Sequence, residues 1–118
     1  MIPTNIKSLQ HESRRLRVRE VDRNTFVVQS TTNPSANHIV TVCFGPHGET
    51  VHARCTCAWA MHNGIACTHV MAALEHLAAY KDRTLSFWQT EADARRQKQR
   101  VFQLTNGRDG VWITSRND

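Results

Sequence analysis

Cys55, Cys57, Cys67 and His69 form a C-x-C, nine intervening residues, then C-x-H. Three thiolates and an imidazole make a four-donor set of the kind that encloses a tetrahedral divalent zinc ion, whose borderline-soft character favours sulfur and nitrogen. With all four positions filled by protein, the ion would be structural, one per chain, with no open position for a reacting water. On an extended strand, residues two apart point the same way, so Cys55 and Cys57 can face one ion across Thr56. On a continuous helix Cys67 and His69 would diverge by about 200°. Cys67 is therefore expected before the first helical turn and His69 within it. Asn63-Gly64 gives the loop a permissive backbone for its return, and Trp59 and Ile65 can cover the site. His52 and His62 lie near enough to compete as the fourth ligand, but His69 pairs symmetrically with Cys67. Cys43, in a strand pattern, is expected to be a buried thiol.

The elements that must position these residues follow from patterning. Arg14–Val21 alternates as a strand, and Asp22-Arg23-Asn24 is a tight connection into a second strand, Thr25–Ser30. His38–Phe44 and Glu49–Cys55, joined by Gly45-Pro46-His47-Gly48, form a hairpin. From Thr68 to Tyr80, the positions of Val70, Met71, Leu74, Leu77 and Ala78 make one apolar helical face. Thr90 is a hydroxyl N-cap for a further helix with Glu91 and Asp93 in its first turn and Arg95, Arg96, Lys98 and Arg100 towards its end. Val101–Leu104 and Val111–Thr114, around Asn106-Gly107 and Asp109-Gly110, read as a second hairpin. Ahead of these, residues 1–13 offer only Ile6 and Leu9 at helical spacing.

The expected fold is α+β, in the order β, β, β, β, α, α, β, β. An antiparallel sheet of about four strands carries the zinc knuckle at its end and a core helix behind it, with a C-terminal helix and hairpin appended. The chain of 118 residues is long enough for one domain. Within that single domain, 1–118, the zinc-binding core spans 14–80 and the extension 84–118. Hydrophobic residues at 40%, with only five Gly and three Pro, exclude a disordered or collagen-like chain. No apolar run reaches the roughly 20 residues of a membrane span, and the N-terminal stretch lacks the apolar segment of a signal peptide. An intracellular location, in cytoplasm, nucleoid or nucleus, is expected, with no membrane partner.

The motif and its setting resemble the SWIM zinc finger, in which C-x-C follows a β-hairpin and C-x-H leads into a helix. The resemblance runs from about Arg14 to Leu77 and includes an aromatic two after the second cysteine, Trp59, and a glycine three before the third, Gly64. It implies a module that binds DNA or protein. Ala58 and Ala66 stand where prolines are frequent in that family. Thr68 replaces a frequent lysine, which weakens the case for the finger tip as a phosphate contact.

A formal charge of +5 and a sequence pI of about 9.5 favour a polyanionic partner. Ligation by three thiolates and one Zn2+ lowers that charge only to about +4. Arg15, Arg17 and Arg19 alternate with Leu16 and Val18, so on a strand they line one face about 6.5 Å apart, as a phosphate-binding stripe or a solvated outer face. Arg95, Arg96, Lys98 and Arg100 form a second basic cluster, spread around a helix on which Glu91 can pair with Arg95. Trp88 and Trp112 fit stacking on bases or burial in a core. The partner expected first is nucleic acid, DNA ahead of RNA, bound with little sequence selectivity. A protein-interaction adaptor or homodimer is the alternative, with the C-terminal hairpin offering a pairing edge or an apolar surface. An enzyme is not expected: the clustered Cys and His are consumed by the metal, and the C-x-x-C of zinc deaminases does not occur.

Overall fold

The computed structural model describes residues 6–29, 37–45, 50–56, 67–105 and 110–117. The elements are α1 (Ile6–Ser13), β1 (Arg17–Asp22), β2 (Thr25–Gln29), β3 (Asn37–Phe44), β4 (Thr50–Cys55), α2 (Thr68–Tyr80), β5 (Arg83–Trp88), α3 (Glu91–Arg95), β6 (Arg100–Thr105) and β7 (Gly110–Asn117). Strands dominate and helices accompany them, an α+β architecture. Asn63, Gly64, Trp59, Ile65, His62, Cys57, Asn106, Gly107 and Asp109 lie outside the described residues.

Among the described residues, seven strands join one sheet in the order β1-β2-β3-β4-β6-β7-β5. The expectation of about four antiparallel strands with a separate hairpin therefore needs correction. β1 to β4 do form an antiparallel meander, but β6 pairs with β4 in parallel, Thr50 opposite Gln103 and Val51 opposite Leu104. Among the described residues the C-terminal hairpin is flanked on both sides, by β4 along residues 103–105 of β6 and by β5 along β7. Pairings between strands so far apart in sequence leave no local signal, which is why spacing and periodicity do not disclose them.

Strand alternation separates two faces. Phe26, Val28, Val40, Val42, Val51, Ala53, Leu104, Ile113, Leu85 and Phe87 point to one face and are buried. Helix α2 packs over β1 to β5 there, with Val70, Met71, Ala73 and Leu74 turned inward, and α1 lies against α2 and β5. This burial of aliphatic and aromatic surface is the main source of stability.

Two elements differ from expectation because polar groups set them. Helix α1 carries little apolar signal, since two of its three buried side chains are Gln10 and Ser13. Gln10 donates to the Leu85 carbonyl at 2.9 Å and to Glu75 Oε1 at 3.2 Å, and its Oε1 accepts from the Phe87 N–H at 3.2 Å. The amide thus acts as a short surrogate strand beside edge strand β5. Ser13 Oγ donates to Glu75 Oε2 at 3.0 Å and to the Gln10 carbonyl at 2.6 Å, so α1, α2 and β5 share one buried polar network.

The helix begun at Thr90 is shorter than its charge pattern suggests. Thr90 does cap it, accepting from the Asp93 N–H at 3.2 Å. It ends at Arg95, and Lys98, at φ 54°, turns the chain out of helical geometry so that Arg100 begins β6. In the first hairpin Asn24, at φ 55°, takes the left-handed position of the turn, a conformation asparagine tolerates well.

Candidate metal centre

Cys55 ends β4, pointing to the helix-covered face beside Val40 of β3. Its direction is held by the next residue: Thr56 donates its N–H to the Ile39 carbonyl at 3.1 Å, and its hydroxyl accepts from the Ile39 N–H at 3.0 Å. Thr56 is more than a spacer, because it extends the β3–β4 ladder through the start of the C-x-C. Cys67 takes extended angles, φ −108° and ψ 133°, at the N-cap of α2, and its carbonyl accepts from the Met71 N–H at 3.0 Å. The helix starts at Thr68, placing Cys67 ahead of the first turn and His69 inside it, as convergence requires.

The ligating atoms of Cys55, Cys67 and His69 lie within 4.8 Å of one another. Cys67 Sγ is 3.3 Å from His69 Nδ1. A tetrahedral zinc, with bonds of about 2.3 Å to sulfur and 2.0–2.1 Å to nitrogen, holds such donors roughly 3.5–3.8 Å apart. The three residues fit that geometry with small adjustments. Both cysteines are buried, Cys67 almost completely, and His69 is half-buried. The setting is dry on the protein side, which suits a closed centre. Cys57, the fourth expected ligand, lies outside the described residues.

His38 is a neighbour of the site that the motif does not include. It sits two residues before Val40 on the inward face of β3, opposite Val28, and its ring centroid is 4.2 Å from that of His69 at an interplanar angle of 46°. The inward alternation of β3 is the one sequence signal that points to it. Cys43, expected buried, is exposed on the opposite face, because it alternates with Val42 rather than sharing its side.

The basic residues also redistribute. Arg15 is not on a strand: it follows α1 in a turn, its N–H donating to the Glu12 carbonyl at 3.0 Å. Arg17 and Arg19 do lie on β1, exposed, on the face away from α2. Arg54 of β4, opposite Thr41, shares that face, an addition to the stripe that its alternation with Cys55 explains. None of Arg17, Arg19 and Arg54 is in an ion pair among the described residues. The second cluster is split over four settings: Arg95 in α3, Arg96 at its C-cap, Lys98 in the connection and Arg100 on β6. Arg95 pairs with Glu91 at 2.6 Å and Arg96 with Asp93 at 3.2 Å. Trp88 and Trp112 are neighbours across β5 and β7, both half-buried, and the Trp88 indole N–H donates to Thr114 Oγ1 at 3.0 Å.

Among the described residues, no helix is long and apolar enough to cross a membrane. No curated protein and no solved structure matches the chain at a significant level. The family model of the SWIM zinc finger matches residues 38–78, which run from β3 through β4 and the cysteine pair to the last turn of α2. With Cys55, Cys67 and His69 gathered as a possible metal site between β4 and α2, this segment of the chain is similar to the SWIM zinc finger in both motif and geometry.

Proposed function

We propose that the protein is a non-enzymatic nucleic-acid-binding module, with DNA the favoured polyanion, in which one zinc ion per chain is purely structural. Cys55, Cys57, Cys67 and His69 would hold the ion and fasten β4 to α2. The observation that carries the binding function is the placement of Arg17, Arg19 and Arg54 on a sheet face that no described helix covers over β1 to β4. Guanidinium forks suit phosphate oxygens, and each phosphate neutralised releases counterions. The formal charge of +5 supports the same partner.

Binding of the zinc-loaded protein to single-stranded DNA, duplex DNA and RNA, titrated with salt, tests this. Replacing Arg17, Arg19 and Arg54 by Ala is expected to weaken binding and to lower the slope of log affinity against log salt by about 0.7–0.9 for each phosphate left without its guanidinium. An unchanged slope removes the face from the interface.

Exposed apolar side chains favour a second reading, a protein-binding or self-associating surface. Ile39 shares the uncovered face and is 48% exposed, and Phe44 at the end of β3 is 50% exposed. Sedimentation of the full chain with and without Ile39→Asp separates the two. A dimer dissociated by that substitution, together with no polyanion binding at low salt, favours the second.

A further inference from the structure

The uncovered face does not stop at β4. Past Thr50 it continues through Gln103 of β6 to Trp112 of β7, residues that sit side by side in the register of the sheet. There it drops into a cleft of about 470 Å3 walled by α3. Trp112 and Gln103 lie along the sheet side of the cleft, Arg95 reaches it from α3, and Gln99 and Arg100, where the chain enters β6, complete the wall. The volume is within the range of small-ligand sites, roughly 300–1,000 Å3. An indole beside amides and a guanidinium is a side-chain set that accepts a planar heteroaromatic ring bearing an anion.

We infer that this cleft takes one nucleotide unit of a single-stranded nucleic acid, its base against Trp112 and its phosphate at Arg95, with the strand running out across β4 towards Arg54. The inference rests on the nucleic-acid reading above and gives the surface a direction: a stacking cleft at one end, a basic track at the other. Arg54 and Trp112 are separated by four residues along β4 and two strand spacings, on the order of 15 Å, a distance an extended strand covers in a few nucleotides. Base-on-aromatic stacking is tolerant of sequence, in keeping with the lack of any base-reading helix among the described residues. A paired base cannot enter without leaving its duplex, so the cleft selects single strands.

Glu91 sets a limit on the site. Its carboxylate holds Arg95 at 2.6 Å and faces the same cleft, so an incoming phosphate meets a partly neutralised guanidinium. Arg100 borders the cleft, but its guanidinium stacks 4.9 Å over the Phe102 ring, on the face away from Trp112, so Arg95 is the phosphate contact.

Fluorescence anisotropy with a labelled oligothymidylate, the same length of RNA and a matched duplex tests the assignment at low salt. Trp112→Ala is expected to weaken single-strand binding roughly tenfold, with duplex binding changed less than about twofold. Because Trp112 is half-buried, the exposed Gln103→Glu serves as a second variant that places a carboxylate in the cleft without touching the core; a similar single-strand loss is expected at unchanged melting temperature. Glu91→Gln is expected to tighten single-strand binding by about threefold. If oligomers bind but all three variants leave single-strand affinity unaltered, or reduce duplex binding equally, the cleft assignment is overturned while the basic face stands. If neither single strand nor duplex binds at low salt, the broader reading fails and the cleft falls with it.

Discussion

The imidazole of His38 packs on that of His69, centroid to centroid 4.2 Å, so a β3 residue outside the cysteine motif buttresses the nitrogen donor of the candidate metal site among the described residues. His69 presents Nδ1 to Cys67, and a neighbouring ring limits how far it can swing away. Outer-shell supports of this kind typically change metal affinity by about 10–100-fold. His38→Ala is expected to weaken zinc binding about tenfold, and His38→Phe, which keeps a ring in place, to recover most of it. Competition against a chromophoric chelator measures both; equal affinity in the alanine variant would remove the buttress.

The candidate metal site lies between the end of β4 and the start of α2, two elements that carry much of the buried core. Cys67→Ser removes a ligand at a position only 1% exposed, and is expected to cost several kcal/mol of stability and to abolish the dependence of melting on added zinc. Chelating the ion from the unaltered chain is expected to lower its melting temperature comparably. Melting curves recorded with zinc and with chelator decide it: identical curves for the unaltered chain contradict a structural ion.

Gln10 satisfies the Leu85 carbonyl and the Phe87 N–H at once. Gln10→Leu keeps the volume but strands both backbone groups in a buried setting, at a cost of about 3 kcal/mol. Urea denaturation reads the loss directly. A change smaller than about 0.5 kcal/mol would mean that the amide fills space and nothing more.

Lys7 lies 3.5 Å over the Trp88 ring. Burial, and secondarily the charge of Arg14, lower its pKa from 10.5. The folded state therefore disfavours the ammonium, so this group subtracts stability below its folded value, and the penalty is relieved as pH rises from that value towards 10.5. An NMR titration of the Lys7 side chain is expected to show a midpoint below 10.5. Arg14→Gln should raise that midpoint only part of the way, since burial is the larger cause.

How far the sequence discloses the molecule depends on which interactions are local. The turn at Asn24, the capped start at Thr90, the Glu91–Arg95 pair and the whole of α2 rest on neighbours within a few positions, and each is plain in the pattern. Cys55, Cys67 and His69 declare themselves because ligand chemistry permits few residue types at that spacing. Helix α1 escapes detection because Gln10 and Ser13 are buried by partners about 60 to 80 residues away rather than by apolar periodicity. β5 escapes because Leu85–Trp88 is a short apolar run whose strand identity comes from β7. His38 is invisible because its relation to His69 exists only once β3 and α2 pack together.

The surrogate ladder at Gln10 has a consequence for how this molecule meets others. One border of the sheet is stoppered by a glutamine amide, and the other, β1, is broken by a bulge around Val21 and fringed with Arg17, Glu20 and Asp22. Among the described residues neither border offers the flat, neutral hydrogen-bonding rail on which fibrils or swapped strands grow. A partner is therefore expected to lie athwart the described strands instead of lengthening the array.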